Sequence, residues 1–405
     1  MRIIADFHIH SKYSRAVSPK MNLEEIGKFG VIKGIDVIGT GDFTHPLWFS
    51  ELKSKLILDK SNFYSLKGID NSSKFVFTGE VSLIYKKFNK TRKIHLILIS
   101  PNLETTEKIN KKLSEKYNLS SDGRPILKLD AKEFLKIILN ISKEVLVIPA
   151  HIMTPFFGLY GSKSGFDSIK DCFEELEEYI YAYETGLSAN PEMLLKMEEC
   201  RKRALISNSD AHSLDKLGRE ANVFETNFNY ESIIKKIKEK DFETIEFFPE
   251  EGKYFNDGHR NCEISLSPEE TYTYGGVCPV CGKPLTIGVS SRIKKLSDLK
   301  ESEGLPFKSL VPLKEIIGEV SKVGILSKKV EEEYQKLIQE FKSEFNILLY
   351  EDISKIKKVN QSVALAIEKV RLGDLLIIPG YDGEFGKVKI YGEKVKKIIP
   401  QKTLL

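Results

Sequence analysis

Along residues 1–245, apolar and polar positions fall into a repeating order. A short run rich in Ile, Val and Phe comes first, then a polar loop, then a stretch with apolar residues three and four apart. Short β-branched or aromatic runs between turn residues predict strands, and a three-to-four spacing predicts helices with one apolar face. Strands are expected at 3–8, 34–38, 74–78, 94–100, 145–149, 179–183, 204–207 and 222–226, and helices at 23–33, 104–116, 131–142, 173–178, 191–202 and 230–240. Strands alternating with helices argue for an α/β fold, a parallel sheet of about seven or eight strands closing into a barrel.

Beyond residue 245 the pattern changes. Two short knuckles lead into helical periodicity at 291–303, 313–321, 328–345 and 359–371, followed by an apolar run from 375 and a hairpin to Tyr391. The chain is therefore expected to divide into a barrel (1–245), a small metal module (246–290), a helical segment (291–350) and a small C-terminal α+β domain (351–405). The stretch 318–324 between two helices reads either as a hairpin touching a DNA backbone or as an ordinary helix connection.

The polar residues of the barrel gather at one end of its strands. The first strand reads Ile3-Ile4-Ala5-Asp6-Phe7-His8-Ile9-His10, and alternation sets Asp6, His8 and His10 on one face. Later strands finish on Asp42, Glu80, His151, Glu184, and the pair Asp210 and His212, while His95 lies inside the fourth. Active sites of parallel barrels lie at the carboxyl ends of the strands. Imidazoles and carboxylates converging there suit a cluster of divalent cations, with no thiolate needed.

Composition narrows the classes. With 62 basic and 58 acidic residues the net charge is only +4, so any anion-binding surface must be local. Lys86, Lys87, Lys90, Arg92 and Lys93 crowd one turn, Arg292, Lys294 and Lys295 follow the module, and Lys387, Lys389, Lys394, Lys396, Lys397 and Lys402 mark the tail. Such spreads favour an extended anion over a small one. No apolar run has transmembrane length and no signal peptide is evident, and the 5 cysteines make no secreted disulfide framework, so an intracellular, cytoplasmic setting is expected. Cys172 and Cys200 stand apart and read as core thiols. His259, Cys262, Cys278 and Cys281 have the His-x2-Cys…Cys-x2-Cys spacing of a closed tetrahedral site, which calls for one structural zinc.

The succession His-Ile-His, Gly-Thr-Gly-Asp, Gly-Glu, Ile-His-Leu, Pro-Ala-His and Ser-Asp-Ala-His over about residues 1–225 resembles the PHP (polymerase and histidinol phosphatase) domain. The resemblance implies a distorted (β/α)7 barrel holding two or three divalent ions (zinc, manganese or magnesium). It implies ligand roles for His8, His10, Glu80, His95, His151, Asp210 and His212. Ser14-Arg15-Ala16 and Asp42-Phe43 stand where such domains carry an Asp and an Asp-His pair, so Asp42 is either a substitute ligand or a group behind one. Glu80 is expected to bridge the ions, and Asp210 to bind one and orient the attacking water.

A PHP-like barrel followed by Asp-Gly-His-Arg-x-Cys…Cys-Pro-x-Cys-Gly and helices, with Glu184-Thr185-Gly186-Leu187-Ser188 inside the barrel, resembles the endonuclease Q family. That implies a DNA repair endonuclease cutting double- or single-stranded DNA on the 5′ side of a deaminated base (uracil, hypoxanthine, xanthine) or an abasic site. Glu184, Ser188 and Asn208 are then candidates for contacting an extruded nucleotide, with Tyr254, Phe255, Tyr272 and Tyr274 available to stack on bases. Two other readings compete: a phosphatase for a small phosphomonoester, and a non-catalytic DNA-binding scaffold. The zinc module and basic turns speak against the first, and the intact ligand motifs against the second.

Overall fold

The computed structural model describes residues 1–299 and 304–392. The basic residues Lys394, Lys396, Lys397 and Lys402, and residues 300–303 of the helix expected at 291–303, lie outside these; that helix ends at Leu296. Strand β1 (Arg2–Asp6) runs parallel to β2 (Val37–Gly39). A hairpin of β3 (Leu56–Leu58) and β4 (Tyr64–Leu66) edges β5 (Lys74–Lys87), which lies parallel to β2. Strand β6 (Lys90–Ser100) returns along β5, and the short β7 (Ile126–Leu127) lies against β5. Strands β8 (Leu146–Pro149), β9 (Ala182–Glu184), β10 (Ala204–Ile206), β11 (Ala221–Glu225) and β12 (Glu243–Glu246) complete the first part.

The helices between strands start and stop as their sequences dictate. In the helix Leu23–Lys33, Asn22 caps the first turn by accepting from the Glu25 amide at 3.0 Å. Gly34, at φ 87, ends it in a left-handed conformation that costs a glycine little. Leu23, Ile26 and Gly30 face the sheet.

The α/β class holds, but the sheet is mixed. β5/β6, β6/β8, β1/β11 and β11/β12 are antiparallel. Physical reasons are local. A two-residue turn joins β5 to β6, and a direct hairpin can only reverse direction. Between β10 and β11 lies a single helical turn, Leu214–Lys216, and β11 pairs antiparallel with β1. One apolar cluster nevertheless collects residues from the whole ring of strands: Ile3 and Ala5, Val37, Val76, Ile97 and Ile99, Leu146 and Ile148, Ala182, Ala204 and Ile206, and Phe224. It fills the barrel interior beneath the polar rim, and a larger cluster packs helices around the outside.

The module follows. β13 (Asp257–His259) and β14 (Ile264–Leu266) pair antiparallel, over a small core of Ile264, Leu266, Cys278 and Leu285. Asp257 accepts from Gly288 N at 2.6 Å and Ser291 Oγ at 2.5 Å, fixing the helix Val289–Leu296 to the module. Beyond β15 (Phe307–Ser309), the helices Leu313–Ser321, Lys328–Phe341, Ile353–Val359 and Gln361–Leu372 pack on one another, so the boundary expected at 350 falls inside one helical body. A buried ion pair, Lys33 Nζ to Glu344 Oε2 at 2.7 Å, joins that body to the barrel. The last hairpin, β16 (Leu376–Ile378) and β17 (Lys387–Lys389), returns to the module, where Asp382 accepts from Arg260 N at 2.7 Å and Thr286 Oγ1 at 2.6 Å. Among the described residues, no helix is long and apolar enough to cross a membrane.

Candidate metal centre

The chain leaves the sheet after Asp6, and a bridge between Ile9 and Ala211 holds His8 and His10 against Asp210. Asp42, His151 and Asp210, each just past a strand end, have φ of 50°, 30° and 46°. Such left-handed backbone in non-glycine residues costs of order 1–3 kcal/mol and persists where surrounding structure enforces it. Asp6, a candidate to orient an imidazole, instead braces the neighbouring segment. Its carboxylate accepts from Ser209 N at 3.1 Å, Ser209 Oγ at 2.5 Å and Gly218 N at 3.1 Å, pinning the segment that carries Asp210.

Glu80 is fully buried at the centre, with its two oxygens facing two sets of donors. Oε1 lies 2.6 Å from His95 Nδ1 and 3.3 Å from His151 Nε2. Oε2 lies 3.5 Å from His8 Nε2 and 3.3 Å from His10 Nε2. Asp210 Oδ1 stands 3.7 Å from His8 Nε2 and 3.1 Å from His10 Nε2. Thus His8, His10 and Asp210 make one group of candidate ligands, and Glu80, His95 and His151 another.

The donors fit divalent ions. His8 Nε2, His10 Nε2 and Asp210 Oδ1 are buried without a well-formed hydrogen bond, an arrangement that costs about 1–3 kcal/mol per group unless something else satisfies it. Burial acts to strip the proton from His8 and His10. The carboxylates of Glu184, Glu80 and Asp210 nevertheless hold His8 well above its ordinary pKa, and Asp42, Asp210 and Glu80 do the same for His10. For Glu80, burial is outweighed by His95 and His8, and its carboxyl sinks well below the usual range. His95 goes the other way, pushed down to about 4 by burial despite Glu80. The pocket is thus anionic and rich in nitrogen and oxygen donors, the preference of zinc-like and manganese-like ions.

The rings are held from behind by carboxylates. Glu184 Oε1 is 3.0 Å from His8 Nδ1, and Asp42 Oδ1 is 2.9 Å from His10 Nδ1. Such outer partners fix the tautomer and aim the free nitrogen. Asp42 falls outside both donor groups, because its second oxygen is saturated by Ser11 N (2.6 Å), Ser11 Oγ (2.7 Å) and Ser14 Oγ (2.9 Å). His212 also falls outside them: its Nδ1 lies 2.8 Å from the Asp210 carbonyl, and its ring packs on His10. Of the residues expected to meet a nucleotide, Glu184 and Asn208 are buried links instead. Asn208 donates to Glu184 Oε1 at 3.0 Å and accepts from Phe7 N at 2.9 Å, while Ser188 is half-buried in the loop after β9.

Sequence reasoning missed Arg124. Its Nη1 lies 3.1 Å from Glu80 Oε2 at the mouth of the site, with the side chain 28% exposed. A Cβ on the preceding Gly123 would meet Asp42 Oδ2 at 2.4 Å, so only glycine lets this loop close over the carboxylate. A Gly-Arg-Pro turn opening a short strand was the available signal. Phe157 was missed too; its ring lies 4.3 Å from that of His95.

His259, Cys262, Cys278 and Cys281 also come together, their ligand atoms within 4.8 Å of one another. Three thiols and an imidazole suit a closed tetrahedral site. The helix after the module is clamped to the loop rising from His151: Arg292 Nε donates to Tyr160 O and Nη2 to Phe166 O, each at 2.8 Å. Arg292 is therefore buried framework and not a phosphate contact, and Arg92, which donates to Gly165 O, is the same. Lys87 and Lys294 are engaged by Glu174 and Glu269. Of the four aromatic residues expected to stack, Tyr274 packs into the module's core, whereas Tyr272 is 88% exposed.

Comparison with known proteins agrees with this geometry. Residues 312–374 match the family described as the MJ0043 C-terminal domain. The uncharacterised protein MJ0043 of Methanocaldococcus jannaschii is 34% identical over 263 residues, 62% of this chain; the match spans only 33% of that protein's length. The crystal structure of the lesion-specific endonuclease PfuEndoQ from Pyrococcus furiosus superposes with a TM-score of 0.86 at 33% identity, covering 98% of both chains. An endonuclease Q complex with a 27-mer duplex substrate bearing an abasic lesion at the active site gives 0.84 at 33% identity, over 98% of this chain and 99% of that one. Likeness of sequence and fold at that level, from end to end, is family membership: the chain belongs to the endonuclease Q family of nucleases.

Proposed function

We propose that this protein is a DNA repair endonuclease, hydrolysing the phosphodiester on the 5′ side of a deaminated base or an abasic site and leaving a 3′ hydroxyl and a 5′ phosphate. The observation that carries the reading is Glu80, with one oxygen toward His95 and His151 and the other toward His8 and His10. That is the donor arrangement of a two-ion phosphodiesterase. Bound divalent ions, zinc or manganese by the donor set, would supply Lewis acidity toward water and phosphate. A further zinc held by His259, Cys262, Cys278 and Cys281 would be structural.

The protein's own groups then have distinct work. Asp210 is the one carboxylate of the cluster open to the mouth, its side chain 27% exposed where those of Glu80, Asp42 and Glu184 are at 0%. It is placed to accept a hydrogen bond from the attacking water and aim it at phosphorus. Arg124, beside Glu80, offers a planar fork of N–H donors to a non-bridging phosphate oxygen. Asp42 and Glu184 hold the His10 and His8 rings. Water's oxygen bonds to phosphorus as its proton passes to solvent, the bond to the 3′ oxygen breaks, and the released alkoxide takes a proton from solvent. The barrel (1–245) carries this chemistry, the zinc module (246–290) walls one side of it, and the helical body that follows contributes further DNA contact.

End-labelled duplexes carrying a single uracil, hypoxanthine, xanthine or abasic site, with an undamaged control, test the reading. Incision one bond 5′ to the lesion in the presence of manganese, with no free base released, is expected. Equal cutting of the undamaged duplex, or release of uracil, contradicts it.

A further inference from the structure

The antiparallel ribbon of β5 and β6 does not stop at the barrel rim. It stays paired residue for residue from Phe77–Ser100 out to Lys87–Lys90. At about 3.3 Å per residue, its tip stands roughly 25 Å beyond Glu80. Ile97, which pairs with Glu80, packs in the barrel interior, so the face bearing Glu80 and His95 is the inner one. Strand alternation carries that face outward through Ser82, then Ile84 beside Lys93, then Lys86 beside Thr91. The opposite face is clamped to the body by Arg92, whose guanidinium lies 4.1 Å over the Phe166 ring, and by Lys87, which is 2.8 Å from Glu174.

The tip is built at a cost. Phe88 and Asn89 both have left-handed backbone, at φ 52° and 58°. Asparagine suits such a two-residue turn and phenylalanine does not. Phe88 is nevertheless 60% exposed, with the edge of Phe166 6.5 Å away as its ring neighbour among the described residues. Nearer the metal centre, Phe156 is 51% exposed, and Lys93 Nζ stands 6.0 Å from its ring and 5.5 Å from that of Phe157. On the inner face Lys93, with Phe156 beside it, and then Lys86 thus follow outward from His95, while Phe88 and Lys90 turn to the side of Phe166 and Arg92. That is the make-up of surfaces that hold a nucleic-acid strand, with lysines on phosphates and rings on unstacked bases.

We propose that this face is a track for the DNA strand leaving the metal centre, with Lys93 and Lys86 taking its phosphates and Phe156 stacking on one of its bases. The inference rests on DNA being the substrate and adds where the strand runs.

The test compares the intact enzyme with two variants, Phe156→Ser and the double Lys86→Gln/Lys93→Gln. The substrates are a long lesion-bearing duplex and one trimmed to end close to the lesion on either side. Incision efficiency on the long duplex should fall about tenfold or more for each variant, and the loss should shrink on the trimmed duplex. The double variant should also flatten the dependence of log affinity on log salt by about 2 units. Phe156→Ser should melt like wild type, because that ring is 51% exposed. Wild-type incision and salt slope in the variants overturn the track, as does equal loss on long and trimmed duplexes. Failure of the wild type to cut either duplex overturns the nuclease reading itself, and the track falls with it.

Discussion

Glu184 governs the site from behind. Its carboxylate meets His8 Nδ1, accepts from the His151 amide at 2.8 Å and is held by Asn208. Glu184→Gln should keep the shape but loosen the aim and basicity of His8, lowering metal affinity by about 10–100-fold in a chelator competition. Asp210→Asn should melt with wild type yet lose at least about a hundredfold in incision rate, close to 2.7 kcal/mol of barrier, because the amide weakens both the ligand and the hold on water. A melting temperature well below wild type would recast Asp210 as structural. Glu246 supplies a pH signature. Burial raises its carboxyl from 4.5 to about 8, with Thr244, Thr185 and Ser207 pulling the other way. The folded state therefore binds this proton more tightly than the unfolded one. The resulting stability is complete below the ordinary glutamate value and declines as pH rises toward 8. Glu246→Gln, which mimics the protonated form, should melt like wild type near pH 5 and several degrees higher near pH 9. Melting differences that do not change with pH would mean that Glu246 is not protonated in the fold.

The module of His259, Cys262, Cys278 and Cys281 is the element most open to separate attack, since its core of Ile264, Leu266, Cys278 and Leu285 is distinct from those of the barrel. Cys278→Ser should release about one equivalent of zinc in a colorimetric assay while the barrel keeps its ions, and lesion incision should be lost. Normal incision would make the module a clip with no part in recognition. The module and the rim were both legible in the sequence for one reason: ligand chemistry is local. Knuckle spacing is fixed by a tetrahedral ion, and a polar residue ending an apolar run marks a strand's carboxyl end. What was not legible depends on which chains meet. Asp42 is a support because Ser11 and Ser14 saturate it, and Arg124 reaches Glu80 only because Gly123 lets its loop close. The lysine-rich stretch 86–93 reads as a turn, and strand direction follows from how elements connect, so the long antiparallel ribbon was hidden.

At the scale of the whole molecule, the supporting parts converge on the rim. Asp6 ties β1 to the Asp210 segment, Arg292 ties the module's helix to the loop after His151, and Lys33–Glu344 joins barrel and helical body. All of these contacts position one buried carboxylate, Glu80, which is proposed to lie between two ions. Anomalous X-ray scattering from crystals of the intact protein, collected at the zinc or manganese edge, measures that directly. The expected map has a peak among His8, His10 and Asp210, a second among Glu80, His95 and His151, and a separate zinc peak among His259, Cys262, Cys278 and Cys281. A single peak at the barrel rim, or none beside Glu80, would contradict it.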